Sequence, residues 1–262
     1  MNAKLIITAS VAYLLSTSLT FGAFRYFDSA TSSTLINPSA PVYEDNRLVI
    51  NPEEPKTETC PINGEMFTKT EKNAWEKRRP MLVMIENHLE ARPQSGMGQA
   101  DLVYEAVAEG GITRFMGVFY CDAISQDNII GPVRSARTYF LDWASEYSKN
   151  PLYVHVGGGN TPNKANALGQ INDYGWGGEN DLNQFGLSVK ECWRDYTRLG
   201  HQAATEHTMY CSTEALWKIA ANRGWAAKGQ DNKLWSDQFT PWKFTEAKPA
   251  SSPTATSISF NF

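Results

Sequence analysis

Apolar and polar positions along this chain fall into runs short enough to assign one by one. Residues 81–85 are apolar without a break, the pattern of a strand buried on both faces. Residues 101–107 and 113–120 predict two more strands, and Glu109-Gly110-Gly111 between them predicts a tight hairpin. A further strand is expected over 152–156, ending at Gly157-Gly158-Gly159, where the backbone can come close to a ligand or to a neighbouring element. Helices are predicted around these strands. Residues 70–78 form a short one, stopped before Pro80. Residues 136–147 place Tyr139, Phe140, Trp143 and Tyr147 on one stripe, with Ser135 as N-cap. Residues 163–171 are expected to be helical. Residues 214–223 are amphipathic, capped by Ser212 or Thr213 and stopped by Gly224. Residues 205–210 predict a short strand, and the Gly- and Trp-rich stretch 173–181 a loop. Strands interleaved with helices predict an α/β or α+β fold, a mixed β-sheet flanked by helices.

The two ends read differently. Lys4 precedes an uncharged stretch over 5–24 and Arg25 follows it, which predicts a signal anchor or signal peptide over 1–27. Residues 28–75 are expected to be an extracytoplasmic spacer, because Ser, Thr, Asn, Pro and Glu dominate its first part without periodicity. The main domain is expected over 76–245. Residues 256–262 alternate polar and apolar positions as a half-buried strand does, so 246–262 is expected to open a truncated β-rich C-terminal domain.

Composition narrows the function. A net charge of −4 argues against nucleic acid as a partner. Cys60, Cys121, Cys192 and Cys211 are too widely spaced for a zinc knuckle. They suit disulfides outside the cytoplasm, in any of three pairings, and equally suit buried reduced thiols. From Arg78 to Tyr147 the basic residues are all arginine, although lysines outnumber arginines over the whole chain. The flat guanidinium fork binds carboxylate or phosphate in a bidentate way that an ammonium does not. An anion-handling site is therefore expected in this stretch.

Its candidate residues sit at the ends of the apolar runs. Arg134 and Arg137 flank the start of a predicted helix, where free backbone N–H groups favour an anion. Arg92 and Arg114 lie at strand ends, where sheet proteins of this kind assemble sites. Ser135, Asn87, His88 and Gly158 are expected to complete the binding set. Glu105, Glu109, Asp142 and His155 are the candidates for moving protons. Glu86 and Asp101 join His88, Glu105 and Glu109 as metal candidates. Hard oxygen ligands would suit a divalent cation such as Mg²⁺ or Ca²⁺, but their spacing matches no known loop and no metal ligand set is assigned. No nucleophile elbow, phosphate-binding loop or H-E-x-x-H helix is present.

Several phrases in order resemble the YerB-like family of bacterial envelope proteins, which are built on a domain of unknown function. They are Glu86-Asn87-His88, Ala91-Arg92-Pro93-Gln94-Ser95-Gly96, Ala100-Asp101-Leu102-Val103-Tyr104-Glu105, Glu109-Gly110-Gly111-Ile112-Thr113-Arg114 and Gly131-Pro132-Val133-Arg134-Ser135-Ala136-Arg137. The likeness continues through His155-Val156-Gly157-Gly158, Trp193-Arg194-Asp195 and Glu206-His207-Thr208-Met209-Tyr210, so that it spans roughly 80–224. The resemblance implies an extracytoplasmic location and a second, β-rich C-terminal domain. This chain departs from lipoprotein members in lacking a lipobox cysteine, its first cysteine being Cys60. A peptide anchor would then take the place of the lipid.

Two functions follow as expectations. One is an envelope hydrolase or phosphotransferase acting on a phosphorylated or acidic glycan or lipid-linked precursor, with arginines stabilising developing charge. The other is a non-catalytic module binding an acidic envelope polymer or a partner protein. Its marks would be an exposed aromatic groove, involving Tyr174, Trp176 or Trp193, and acids and histidines already tied up in salt bridges.

Overall fold

The structure is a computed structural model that describes residues 42–44, 47–162, 165–229, 231–244, 257 and 259. Its elements in order are β1 (Tyr43–Glu44), β2 (Arg47–Leu48), β3 (Lys56–Thr59), β4 (Met66–Thr68), α1 (Lys69–Trp75), β5 (Met81–Glu86), β6 (Leu102–Val107) and β7 (Thr113–Phe119). There follow β8 (Ile129–Ile130), α2 (Thr138–Ala144), β9 (Leu152–His155), α3 (Ala167–Asp173), β10 (Asp181–Asn183), β11 (Cys192–Arg194), β12 (Met209–Ser212) and α4 (Thr213–Asn222).

The fold is α+β around a mixed five-stranded sheet of order β10-β9-β5-β7-β6. β5 lies at its centre, parallel to β9 and antiparallel to β7. Its uninterrupted apolar run follows from that place, because both faces are covered and every residue of the strand is buried. Leu82, Met84, Met116, Val118 and Tyr153 point to one face, where Trp75 of α1, Phe140 and Leu141 of α2 and Ile171 of α3 close a core. Met81, Val83, Ile85, Phe119, Leu152 and Val154 point to the other, against Leu216, Trp217 and Ala220 of α4 and against Cys211 of β12. β12 is the middle strand of a second sheet, β11-β12-β8.

Local chemistry sets the helix starts. Thr68 and Glu71 form a reciprocal capping box at α1. The Ser212 hydroxyl accepts from the Ala215 N–H at α4, as expected, and Gly224 closes that helix with φ +79°. The predicted helix over 136–147 is shorter and starts later. α2 begins at Thr138, Arg137 takes the N-cap position without a side-chain cap bond, and Ser145–Tyr147 continue as a 3-10 turn. Ser135 is thus not a helix cap; it belongs to the extended segment before the helix. The loop expected over 173–181 ends in β10, which adds an edge strand parallel to β9. The strand expected over 205–210 is a 3-10 turn, Thr205–His207, followed by β12.

Both cysteine alternatives resolve to disulfides, Cys60–Cys121 and Cys192–Cys211. The first ties the loop after β3 to the end of β7, which joins β3, β4 and α1, all within the expected spacer, to the main sheet. Among the described residues no helix is long and apolar enough to cross a membrane. The anchor expected over 1–27 lies outside those residues. So does the strand over 256–262, except Ser257 and Ser259, which belong to no element.

Candidate functional site

A wedge of extended chain brings the arginines together. β5 and β9 pair as far as Val83↔Val154. Beyond that point the segment 132–136 runs between their C-terminal ends. The Glu86 N–H donates to Pro132 O at 2.9 Å, Arg134 N–H to Met84 O at 2.8 Å, Val156 N–H to Arg134 O at 3.0 Å and Ala136 N–H to Gly157 O at 2.9 Å. Gly158 makes this approach possible, since a Cβ there would stand 3.2 Å from the Ala136 Cβ. The glycine run thus serves a neighbouring element, one of its two expected uses.

The wedge delivers Arg134, Ser135 and Arg137 to the end of the sheet where Glu86 and Arg114 stand opposite each other. Arg134 Nε lies 2.9 Å from Glu86 Oε2, and His207 Nδ1 lies 2.8 Å from the same oxygen. Arg114, only 4 % exposed, donates from Nη1 to the Ser135 carbonyl at 3.0 Å and from Nη2 to Glu109 Oε2 at 3.3 Å. Arg137 grips the other oxygen of Glu109 through Nε and Nη2. Burial pulls the Arg114 guanidinium below its usual value, and the positive charges of Arg137 and Arg134 pull the same way against Glu109 and Glu86. These three arginines therefore share one field.

Asn87 organises the neighbouring rim. Its amide donates to Thr113 Oγ1 at 2.7 Å and to Glu105 Oε1 at 3.2 Å, and its side-chain oxygen accepts from Arg92 Nε at 3.1 Å and Gln94 Nε2 at 3.0 Å. Arg92 also reaches the Asn87 carbonyl at 3.2 Å. Thr113 Oγ1 donates to Glu105 at 2.6 Å. His88 stacks on His207 with centroids 5.0 Å apart, and Glu90 follows it on the next turn.

Other expected residues stand apart from this cluster. Asp142 accepts from Gln170 at 2.7 Å and from the Tyr174 hydroxyl at 2.6 Å, between α2 and α3. His155 is 0 % exposed, its Nδ1 2.7 Å from Gly157 O and its Nε2 2.7 Å from Asp181. Asp101 accepts the backbone N–H groups of Tyr120, Cys121 and Asp122 at 2.6, 2.9 and 3.1 Å, and burial raises its carboxyl to about 7 against their pull. It lies beside Cys60 and Cys121, whose sulfurs are spent in the disulfide and are no metal ligands. Asp101 thus stands apart from the other oxygens considered for Mg²⁺ or Ca²⁺. Trp176 is buried, Trp193 half-buried and Tyr174 exposed, which makes no open aromatic groove of the three.

Arg79 shows what the arginine count alone could not. It is 1 % exposed and donates to four backbone carbonyls, those of Ala226, Asn150, Glu179 and Lys228, at 2.7–3.1 Å. Its work is to tie the chain after α4 to the sheet. Glu90 carries no functional signal of its own in the sequence, and His207 stands there only within one of the phrases shared with the family. The single cue to Glu90 was its place two residues after His88.

Comparison with known proteins bears out the resemblance. A family model described as protein of unknown function (DUF3048), N-terminal domain, matches residues 67–226. The putative lipoprotein YerB of Bacillus subtilis (strain 168) is 34% identical over 200 residues, covering 76% of this chain and 52% of that protein. The crystal structure of the YerB protein from Bacillus subtilis matches with a TM-score of 0.52 and 31% identity, over 66% of this chain and 53% of that one. The chain spans about half the length of these relatives.

Proposed function

The chain belongs to the DUF3048 family of proteins of unknown function, and from that premise we propose that it is a membrane-tethered, extracytoplasmic binding module for an acidic envelope polymer or lipid-linked precursor. The observation that carries this reading is the shared grip of Arg114 and Arg137 on one carboxylate, that of Glu109. Glu109 is 58 % exposed and sits in the turn between β6 and β7. Its two oxygens, one on each guanidinium, stand where those of a ligand carboxylate or phosphate would. Arg92, Arg114, Arg134 and Arg137 are balanced nearby by Glu86, Glu90, Glu105 and Glu109, so an incoming anion replaces an internal acid and does not neutralise bare charge.

Binding is preferred here to hydrolysis or phosphotransfer. Glu105 is held by Asn87 and Thr113, Asp142 lies outside the cluster, and His155 is sealed between Asp181 and Gly157. Glu109, the fourth candidate, has both oxygens engaged by Arg114 and Arg137, and none of the other three is poised to move a proton to or from a group held by Arg137. Location is supported by three features: two disulfides, which persist in oxidising compartments; a relative named as a putative lipoprotein; and the uncharged stretch 5–24 between Lys4 and Arg25.

The test is retention of the full chain on an isolated acidic envelope-polymer fraction, compared with Arg137→Ala and with the double variant Arg134→Ala, Arg137→Ala. Folded variants should lose at least about tenfold in affinity, a loss of about 1.4 kcal/mol. Unchanged retention by a folded double variant rejects the anion site. Conversion of a labelled precursor by the wild type would restore the enzyme reading.

A further inference from the structure

Glu90 has three histidines around it. His207 Nε2 lies 3.6 Å from Glu90 Oε2, His88 Nδ1 accepts from the Glu90 N–H at 3.2 Å, and His201 Nε2 lies 3.1 Å from the Glu90 carbonyl. The ligand atoms of His88, Glu90 and His207 all fall within 4.8 Å of one another. We propose that His88, Glu90 and His207 form a binding site for a divalent transition-metal ion, with zinc the best match.

The argument starts from His207. Its Nδ1 faces Glu86 Oε2 at 2.8 Å, and Glu86 can only accept there, because the same oxygen also meets Arg134. Nδ1 is therefore the donor, which leaves Nε2 aimed at the Glu90 carboxylate as the nitrogen free to take a metal ion. The 3.6 Å between Nε2 and Glu90 Oε2 is a gap that one cation, a proton or a metal ion, bridges. A carboxylate behind a histidine, fixing its tautomer and aiming the other nitrogen, is the support that metal-binding imidazoles use. Burial of Glu86 and His207 holds this pair rigid.

His88 supplies the second nitrogen. Its Nδ1 accepts a bond, so it carries no proton and offers a lone pair that a cation can take from the Glu90 N–H. Its ring now lies parallel to that of His207, with 9° between the planes. Zinc bonds of about 2.0–2.1 Å in a tetrahedron need ligand atoms about 3.3 Å apart, so His88 must turn about its Cβ–Cγ bond and the cluster must close by about 1.5 Å. The 3-10 turn carrying Glu90 is exposed enough to allow this. Two imidazoles and one carboxylate favour zinc over magnesium or calcium, which prefer all-oxygen sets. Three protein ligands also leave a fourth position for water or for an acidic ligand. The site shares Glu86 with Arg134 but does not depend on Arg137, so it stands or falls apart from the anion reading.

The test is calorimetric titration of the chelator-treated full chain with zinc, alongside cobalt(II) absorption in the visible. The wild type should bind one zinc per chain saturably, and cobalt should show the intense bands of a four- or five-coordinate nitrogen–oxygen site. His88→Gln and Glu90→Gln should each weaken zinc by about tenfold or more, and Glu90→Gln should leave the melting temperature of the metal-free protein unchanged. Glu90→Gln, at an exposed position, keeps the test open if His88→Gln does not fold. Absence of saturable zinc binding, or an affinity unchanged in a folded variant, overturns the proposal.

Discussion

Glu86 and Arg114 are direct cross-strand neighbours in the last register pair of β5 and β7, yet each takes its ion pair from elsewhere. Glu86 meets Arg134 from the wedge and His207 from the turn before β12; Arg114 meets Glu109 from the β6–β7 turn. The pair that register alone would form is thus split into two arms, one buried and one open to solvent. The two arms should answer differently to substitution.

The buried arm is structural. Glu86→Ala removes the carboxylate that pairs with Arg134 and faces His207 Nδ1, and leaves a part-buried cation and a buried imidazole without that partner. It should destabilise the fold by about 3 kcal/mol or more, while Glu86→Gln, which keeps an acceptor, should cost about 1–3 kcal/mol. Urea unfolding decides this, and an unchanged midpoint for Glu86→Ala would contradict it.

The open arm is the one proposed to meet the anion. Because Glu109 is largely in solvent, Arg137→Ala should shift stability by no more than about 1 kcal/mol. Glu109→Gln takes away the internal competitor for both arginines. It should bind the acidic polymer fraction several-fold tighter than the wild type, up to about tenfold. Weaker binding by this variant would mean that Glu109 contacts the ligand and does not stand in for it.

The disulfides should differ in weight. Cys60–Cys121 spans 61 residues and Cys192–Cys211 spans 19. Chain entropy alone assigns about 4 kcal/mol to the longer loop and about 3 kcal/mol to the shorter. Paired Cys→Ser variants, compared by denaturant unfolding, should therefore rank with loss of Cys60–Cys121 as the more damaging.

Asp101 should make stability fall as pH rises. Its carboxyl is raised from 3.8 to about 7 by burial, so the folded state holds the proton more tightly than the unfolded chain. Its contribution is whole below about pH 4 and is lost as pH climbs through about 7. Asp101→Asn disturbs the bonds from Tyr120, Cys121 and Asp122 and lowers the melting temperature throughout. The gap between wild type and variant should narrow between pH 4 and pH 8. A gap that widens over that range would mean that the three N–H groups outweigh burial.

Much of the framework was legible in the residue pattern. An unbroken apolar run announces a central strand, two alternating segments around Gly110-Gly111 announce a hairpin, and Ser212 with Gly224 brackets a helix. These are local signals, read within one element. The N-cap at Ser135 failed because a serine before an apolar stretch satisfies the capping pattern whether or not the chain turns there. Here the backbone of 132–136 finds its partners in β5 and β9 and stays extended past Ser135.

Residue types and their order along the chain were enough to determine a mixed sheet flanked by helices, an arginine-only stretch along its strand ends and membership of one family. Only the folded chain decided which guanidinium meets what: Arg79 four carbonyls, Arg134 a buried acid, Arg137 an exposed one. It also set the disulfide pairs and brought His207 to Glu86 across 121 positions of sequence. The reason is physical. A guanidinium or an imidazole is satisfied by any acceptor of suitable geometry, so its partner is chosen by which backbone the fold brings near it, and no neighbour in sequence carries that information.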